Sequence, residues 1–214
     1  AMGPGPIISA ARSLGVGRPT GIDLPGESSG YLGTPESVAR AGGTWYAGST
    51  VILGIGQGYL TVTPLQDALW TAGVATGAIV TPHLGLAYGD GPHRSRLKWP
   101  RPRPLAYAEK LGPVRAGMSL AATSGTASIL SALPVTAGAK TGSAEDPSAP
   151  HGAPDSWFTA AAPFRHPRMV ATSFVRGGGH GVSTSGAVVL PVMAYFFAHE
   201  REILRIGPPA REHR

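Results

Sequence analysis

Lys140-Thr141-Gly142-Ser143 sets a cation, two hydroxyls and a glycine on four consecutive residues. An apolar run, Leu133-Pro134-Val135-Thr136-Ala137-Gly138-Ala139, leads into it. Two more strand-like segments follow: Ser156-Trp157-Phe158-Thr159-Ala160-Ala161-Ala162-Pro163, after a Pro/Gly/Ser-rich connection, and Met169-Val170-Ala171-Thr172-Ser173-Phe174-Val175. A lysine and hydroxyls at a strand end, backed by two further strands, suit the binding of a carboxylate beside a reacting carbonyl.

The elements that must hold this group are legible in outline. Residues 7–14 read as the end of a helix stopped by Gly15 and Gly17. Thr63-Pro64 followed by Leu65, Leu69, Ala72 and Ala75 predicts a helix, with a threonine cap and proline in its first turn. Residues 82–113 read as irregular with short strands, and a helical stretch is expected over 114–123. Residues 184–203 read as an amphipathic helix with Val188, Val189, Val192, Met193, Phe196 and Phe197 on its apolar side. The expectation is an antiparallel three-stranded unit carrying Lys140, Trp157 and Val170 on successive strands, with the 188–197 face packed on it.

Composition narrows the classes. A chain of 214 residues, 42% hydrophobic and 14% charged, is long enough for a real core and too apolar for global disorder. With no cysteine, disulfides and thiolate metal sites are excluded, and the 7 histidines show no H-E-x-x-H or other metal spacing. No apolar stretch reaches the length of a membrane span, and no signal-peptide pattern opens the chain. The net charge of +6 comes mostly from arginine, concentrated at 94–103 and 201–214. Apart from Trp99, aromatics do not interleave with these arginines, which argues against nucleic acid and for a solvated basic surface or attraction to an anionic cell envelope. Gly54-x-Gly56-x-Gly58 lacks the remaining spacing of a dinucleotide loop. Gln57, Asp23 and Glu27 read as hydrogen-bonding anchors of their turns rather than catalysts, and His180 sits in a Gly-rich turn before the last helix.

Ordered blocks then point to a family. Gly15-Val16-Gly17-Arg18-Pro19-Thr20-Gly21-Ile22-Asp23-Leu24-Pro25-Gly26-Glu27 comes first. Ile55-Gly56-Gln57-Gly58-Tyr59-Leu60-Thr61-Val62-Thr63-Pro64-Leu65-Gln66 follows. Gly117-Met118 with Ser124-Gly125-Thr126-Ala127 is third, Lys140-Thr141-Gly142-Ser143-Ala144-Glu145 fourth, and Trp157-Phe158 with Ala162-Pro163 last. In this order they resemble class B penicillin-binding proteins of the elongation type, the penicillin-binding protein 2 group, in the C-terminal part of the transpeptidase domain. K-T-G is one of that superfamily's motifs.

The resemblance implies an α/β fold like that of penicillin-binding transpeptidases and serine β-lactamases: an antiparallel sheet flanked by helices, with a helical lobe. It implies a partial transpeptidase domain over residues 1–200 and a basic tail over 201–214, lacking the family's first two strands and nucleophile helix. The implied activity is peptidoglycan D,D-transpeptidation on D-Ala-D-Ala stem peptides, with β-lactam antibiotics acylating the same serine. Lys140 would supply positive potential in the cleft, Thr141 and Ser143 would hold the carboxylate, and the Ser143 N–H would be half of the oxyanion hole. Gly142 would let substrate backbone approach, and Trp157 would form core and cleft wall. Ser143 stands where most members carry threonine. No cofactor and no metal are implied. The family works on the outer, periplasmic side of the bacterial inner membrane, tethered by an N-terminal helix, with a shape-determining polymerase and a scaffold as partners.

The departures matter as much. The family's nucleophile is the serine of S-x-x-K, and an S-x-N motif follows it before the first block. The chain contains no asparagine, so S-x-N is absent from it. Its literal S-x-x-K match, Ser95-Arg96-Leu97-Lys98, lies after the first two blocks and among Gly89, Gly91, Pro92, Pro100 and Pro102. That setting reads as a solvated loop. The chain alone is expected to be inactive; a non-catalytic remnant or scaffold binding peptidoglycan or an elongation or division partner is the other reading.

Overall fold

The computed structural model describes residues 2–90, 93, 95–146, 148–149 and 152–204. It divides into two units, Ala1–Val114 and Arg115–Arg214.

The first unit is helical, with short strand pairs between the helices. Its helices are α1 (Pro4–Ser13), α2 (Pro35–Arg40), α3 (Ala47–Gly54) and α4 (Pro64–Thr76). Gly15 ends the α1 segment in the left-handed region, as its sequence suggested. In α4 the Thr63 hydroxyl accepts from the Gln66 N–H at 3.2 Å and Gln66 Oε1 accepts from the Thr63 N–H at 2.8 Å, a complete capping box. Strands β1 (Tyr31–Leu32) and β2 (Leu60–Thr61) pair antiparallel, as do β3 (Ala78–Ile79) with β6 (Arg103–Pro104) and β4 (Ala87–Tyr88) with β5 (Ser95–Arg96). Helices α2 and α3 were not anticipated. Both are short and the α3 segment, Ala47-Gly48-Ser49-Thr50-Val51-Ile52-Leu53-Gly54, is apolar without helical periodicity.

The helix α5 (Gly112–Thr123) leads to the second unit, whose centre is an antiparallel sheet of β7 (Gly138–Ala144), β8 (Asp155–Ala162) and β9 (Met169–Val175) in that order. Lys140 pairs with Thr159, Gly142 with Trp157, Thr159 with Thr172 and Ala161 with Val170. The three-stranded expectation holds, with one shift. Residues 133–137 are not strand; a 3₁₀ turn at Ser128–Ala132 precedes them and buries Leu130, and Leu133 and Ala137 enter the core from irregular backbone. Pro134 brings no N–H for a ladder there.

Helix α6 (Ser185–Ile203) covers one sheet face, and its first contacts follow the pleat. Phe158, Ala160 and Ala162 alternate along β8 toward it and are fully buried, with Ala139, Leu130, Val189 and Met193 around them. Val189, Met193 and the half-buried Phe197 recur every fourth residue and form the inward stripe. Val188 and Val192 were expected on the same side; each sits about 100° around the helix from that stripe and both are exposed. Helix α6 continues through Arg201 and Glu202, and residues 205–214 of the expected tail lie outside the described residues.

Candidate active site

Among the described residues β7 is an edge strand, bonded to β8 on one side. The pleat divides its functional residues. Lys140 and Gly142 share a face with Trp157, Thr159, Thr172 and Phe174, while Thr141 and Ser143 share the α6 face with Phe158 and Ser156. Lys140 is exposed and its Nζ donates to the Thr141 carbonyl oxygen. Beside it, Thr159 and Thr172 hydroxyls meet at 2.7 Å across the next two strands. Trp157 lies against Phe174 with ring centres 4.6 Å apart. It is half-buried, a wall residue with one side in the sheet.

The third sequence block is brought to this strand. Thr126 and Thr141 share a hydrogen bond between hydroxyls at 3.0 Å. Thr126 gets there because Gly125 fits a spot where a Cβ would stand 2.8 Å from the Ala121 Cα, and because the Ala127 N–H donates to the Ala121 carbonyl at 2.9 Å. Ala127 itself is fully buried. The spacing from Thr126 to Thr141 gives no sign of this contact; the tight Gly125 turn could have suggested it.

Behind the strand, the β9–α6 turn is wedged in place. A Cβ on Gly181 would lie 2.4 Å from the Trp157 carbonyl oxygen and 2.7 Å from that of Gly142. The Thr184 hydroxyl donates to the Gly178 carbonyl at 2.6 Å, and the Gly177 N–H to Asp155 Oδ1 at 2.8 Å. Ser156 and Ser185, both fully buried, complete the anchor. Ser156 Oγ donates to Ser185 Oγ at 2.9 Å, and Ser185 Oγ donates to the Ser156 carbonyl at 2.8 Å. These serines are saturated structural hydroxyls, and no sequence motif marks them. His180 is exposed in the turn and its carbonyl accepts from the Ser156 hydroxyl at 3.2 Å.

On the other flank, Arg176 pins the β7–β8 connection. It donates to Asp146 Oδ2 at 3.1 Å, to the Ser148 carbonyl at 2.9 Å and to the Ser148 hydroxyl at 2.7 Å. The Ser148 hydroxyl and N–H, with Arg176 beside them, hold the Asp146 carboxyl below the ordinary aspartate value.

In the first unit the expected anchors behave as expected. Asp23 accepts from the Leu84 and Gly85 N–H groups, each at 2.7 Å, and those bonds lower its pKa. Burial pushes the Glu27 carboxyl up, but the Thr20 hydroxyl and the N–H groups of Thr20, Gly21 and Ile22 outweigh it. The Gln57 N–H donates to the Ile52 carbonyl in a tight turn flanked by left-handed Gly56 and Gly58. Gln66, buried, joins the first two blocks by donating to the carbonyls of Arg18 and Ser29, each at 2.9 Å. Ser95 of the decoy S-x-x-K is an exposed residue of β5, not the start of a helix. Among the described residues no group of three or more His, Asp or Glu side chains could hold a metal ion.

A strand-borne K-T-G-S on a three-stranded sheet backed by a C-terminal helix is the arrangement the blocks implied; the Thr126 hydroxyl at Thr141 is added by the structure. The penicillin-binding protein transpeptidase domain model matches residues 1–194. The chain belongs to that family. It is 31% identical over 219 aligned positions to the peptidoglycan D,D-transpeptidase MrdA of Haemophilus influenzae, covering 91% of this chain and 33% of the relative. To the Salmonella typhimurium protein of the same name it is 27% identical over 221 positions, covering 92% of this chain and 35% of the relative. The fold matches that of Helicobacter pylori penicillin-binding protein PBP2, solved in complex with MreC, with a TM-score of 0.73 at 25% identity, over 89% of this chain and 35% of that one. It matches Pseudomonas aeruginosa PBP2, solved in complex with WCK 5153, with a TM-score of 0.72 at 25% identity, over 92% and 44%. The chain thus spans about a third of the length of the curated relatives it matches.

Proposed function

We propose that this chain carries the carboxylate-anchoring half of a peptidoglycan D,D-transpeptidase site. The observation that carries it is the edge position of Lys140-Thr141-Gly142-Ser143, with Thr126 fixed to Thr141 at 3.0 Å. A free edge offers N–H and C=O groups to an extended peptide laid beside it. Lys140 attracts the terminal carboxylate of a D-Ala-D-Ala stem peptide and the Thr141 and Ser143 hydroxyls hold it. The Ser143 N–H stabilises the oxyanion as the penultimate D-Ala carbonyl is attacked. Gly142 lets substrate backbone approach, and Trp157 closes the side of the cleft.

In the full reaction a serine oxygen bonds to that carbonyl carbon, the peptide C–N bond breaks, and D-Ala leaves with the proton. An amine of a second stem peptide then displaces the serine. β-Lactams acylate the same serine and stay. The 214 residues contain no S-x-N, and their S-x-x-K match lies on β5. The attacking serine and the other oxyanion donor must therefore come from outside this sequence. The whole protein would work on the outer face of the bacterial inner membrane, beside a shape-determining polymerase and a scaffold; that the Helicobacter relative is solved in complex with MreC supports a protein partner in general. The second reading is a peptidoglycan-binding remnant or scaffold without catalysis.

The test is labelling with a fluorescent penicillin, read on a denaturing gel with adduct mapping by mass spectrometry. The 214-residue chain forms no covalent adduct, whereas the same chain extended by a family N-terminal segment bearing S-x-x-K and S-x-N does. Lys140→Ala in the extended protein abolishes most labelling. A stoichiometric adduct on the chain alone, at Ser95 or any other serine, refutes the assignment; an unlabelled extended protein that still binds peptidoglycan leaves the scaffold reading.

A further inference from the structure

Thr126 is no part of the lysine motif, yet its hydroxyl stands 3.0 Å from that of Thr141. It sits on a rigid mount. The N–H groups of Ser124 and Gly125 both donate to the Leu120 carbonyl at 3.0 Å, closing the end of α5, and the Ala127 N–H reaches back to the Ala121 carbonyl at 2.9 Å. Gly125 occupies a spot where a Cβ would stand 2.8 Å from the Ala121 Cα, and Ala127 is fully buried. The Ser128 N–H then donates to the Gly125 carbonyl at 3.2 Å, so the backbone on both sides of Thr126 is held. Thr141 is held as well, on a rung with the fully buried Phe158. Both threonines are β-branched and stiff at χ1.

Two hydroxyls bring two protons. One lies in the bond they share, and the other is left to donate outward. Among the described residues neither hydroxyl has a second hydrogen-bond partner. A carboxylate can only accept, so one bound at Thr141 selects a single direction: Thr126 donates to Thr141, and the Thr141 proton goes to the ligand. A hydroxyl that accepts one bond while donating another is polarised and donates more strongly. Without Thr126 the Thr141 hydroxyl is a rotor that water or a neighbouring carbonyl can claim.

We infer that Thr126 is a positioning residue of the carboxylate site, and that it sets the donor direction of Thr141. The inference rests on the anchoring reading above and deepens it. By the pleat, Lys140 lies on one face of β7 and Thr141 on the other, where Thr126 meets it. A carboxylate at the strand edge is therefore held from two sides. Lys140 supplies charge, which acts in all directions, and Thr141 supplies a directed bond whose aim Thr126 fixes. An ionised acceptor draws most from such a bond; a neutral ester in the same place draws little.

The experiment is acylation kinetics of the extended protein of the labelling test, with a fluorescent penicillin and with its methyl ester, which lacks the carboxylate charge. Thr126→Val keeps the shape and removes the hydroxyl, so it slows acylation by the acid about fivefold, the worth of one hydrogen bond. The same variant slows the ester by less than about twofold. Thr126→Ser returns the hydroxyl and stays within about twofold of the parent with the acid. Lys140→Ala in parallel slows the acid. Equal slowing of acid and ester by Thr126→Val, or a Thr126→Ser protein as slow as Thr126→Val, makes Thr126 a structural residue and overturns the inference. So does a Thr126→Val protein that takes the acid at the parent rate while Lys140→Ala does not. An acid probe that ignores Lys140→Ala, or an extended protein that neither probe labels, refutes the anchoring reading, and this inference falls with it.

Discussion

Replacing Gly181 with alanine adds one methyl group where the structure has no room. The new carbon would stand 2.4 Å from the Trp157 carbonyl oxygen, 2.7 Å from the Gly142 carbonyl oxygen and 3.1 Å from the Gly142 nitrogen. All three are backbone atoms of one paired rung, Gly142 with Trp157, so no side chain can swing aside. Relief requires the turn or the rung to move, and overpacking of this kind costs about 1–3 kcal/mol. Gly117→Ala is the matched comparison: it sits inside α5, a Cβ there meets nothing within 4 Å, and helix propensity favours alanine by about 0.5–1 kcal/mol. Urea unfolding at constant m-value separates the two, with the midpoint falling for Gly181→Ala and rising for Gly117→Ala. In melting temperature the expected changes are a fall of about 2–12 °C and a rise of about 1–4 °C. Hydrogen exchange at 140–143 should accelerate in the first variant. A Gly181→Ala protein as stable as the parent, or one destabilised with exchange on β7 unchanged, would refute the idea that this turn buttresses the lysine strand.

Ser185→Ala removes two buried hydrogen bonds, the one it accepts from the Ser156 hydroxyl and the one it donates to the Ser156 carbonyl, and should cost about 1–3 kcal/mol, read by urea denaturation; a cost under about 0.5 kcal/mol would mean the pair is not needed. Because the folded Asp23 pKa is lowered, its contribution to stability is present above about pH 4, the unfolded value, and is lost as pH falls through the folded pKa. Asp23→Asn should therefore melt lower at pH 7 and lose less on acidification to pH 3 than the parent; equal losses would show that Asp23 does not drive the acid response. Among the described residues β9 pairs with β8 alone, so the 214-residue chain should self-associate at roughly micromolar concentration, as seen by light scattering. A monodisperse monomer with a reversible melt above about 65 °C would contradict this.

The elements that sequence made visible are those whose signals are local. Thr63, Pro64 and Gln66 announce α4 because a cap is a short-range bond, and 156–163 and 169–175 read as strands because their patterns fit a pleated core. The lysine motif was legible through its neighbours in order. What sequence could not show was contact at a distance: Thr126 on Thr141, Gly181 on Gly142, Ser156 on Ser185, Gln66 on Arg18 and Ser29. The expected inward position of Val188 and Val192 failed for a related reason. Nearly every residue on that stretch of α6 is apolar, so hydrophobicity alone does not say which stripe meets the sheet; the stagger of Val189, Met193 and Phe197 does.

The glycines around β7 also limit what the strand's lineage can try. A side chain at 138 would enter the Phe164 ring at 2.3 Å, one at 186 would meet Ile129 at 2.9 Å and Phe158 at 3.0 Å, and 181 is closed by backbone. Single changes at these places break the scaffold before they alter ligand preference. Variation that keeps the scaffold must instead pass through positions with solvent in front of them, such as Ser143, Glu145 and Ser148. Routes to an altered ligand preference at this strand are therefore narrow, and they run along its far end and the connection that leaves it.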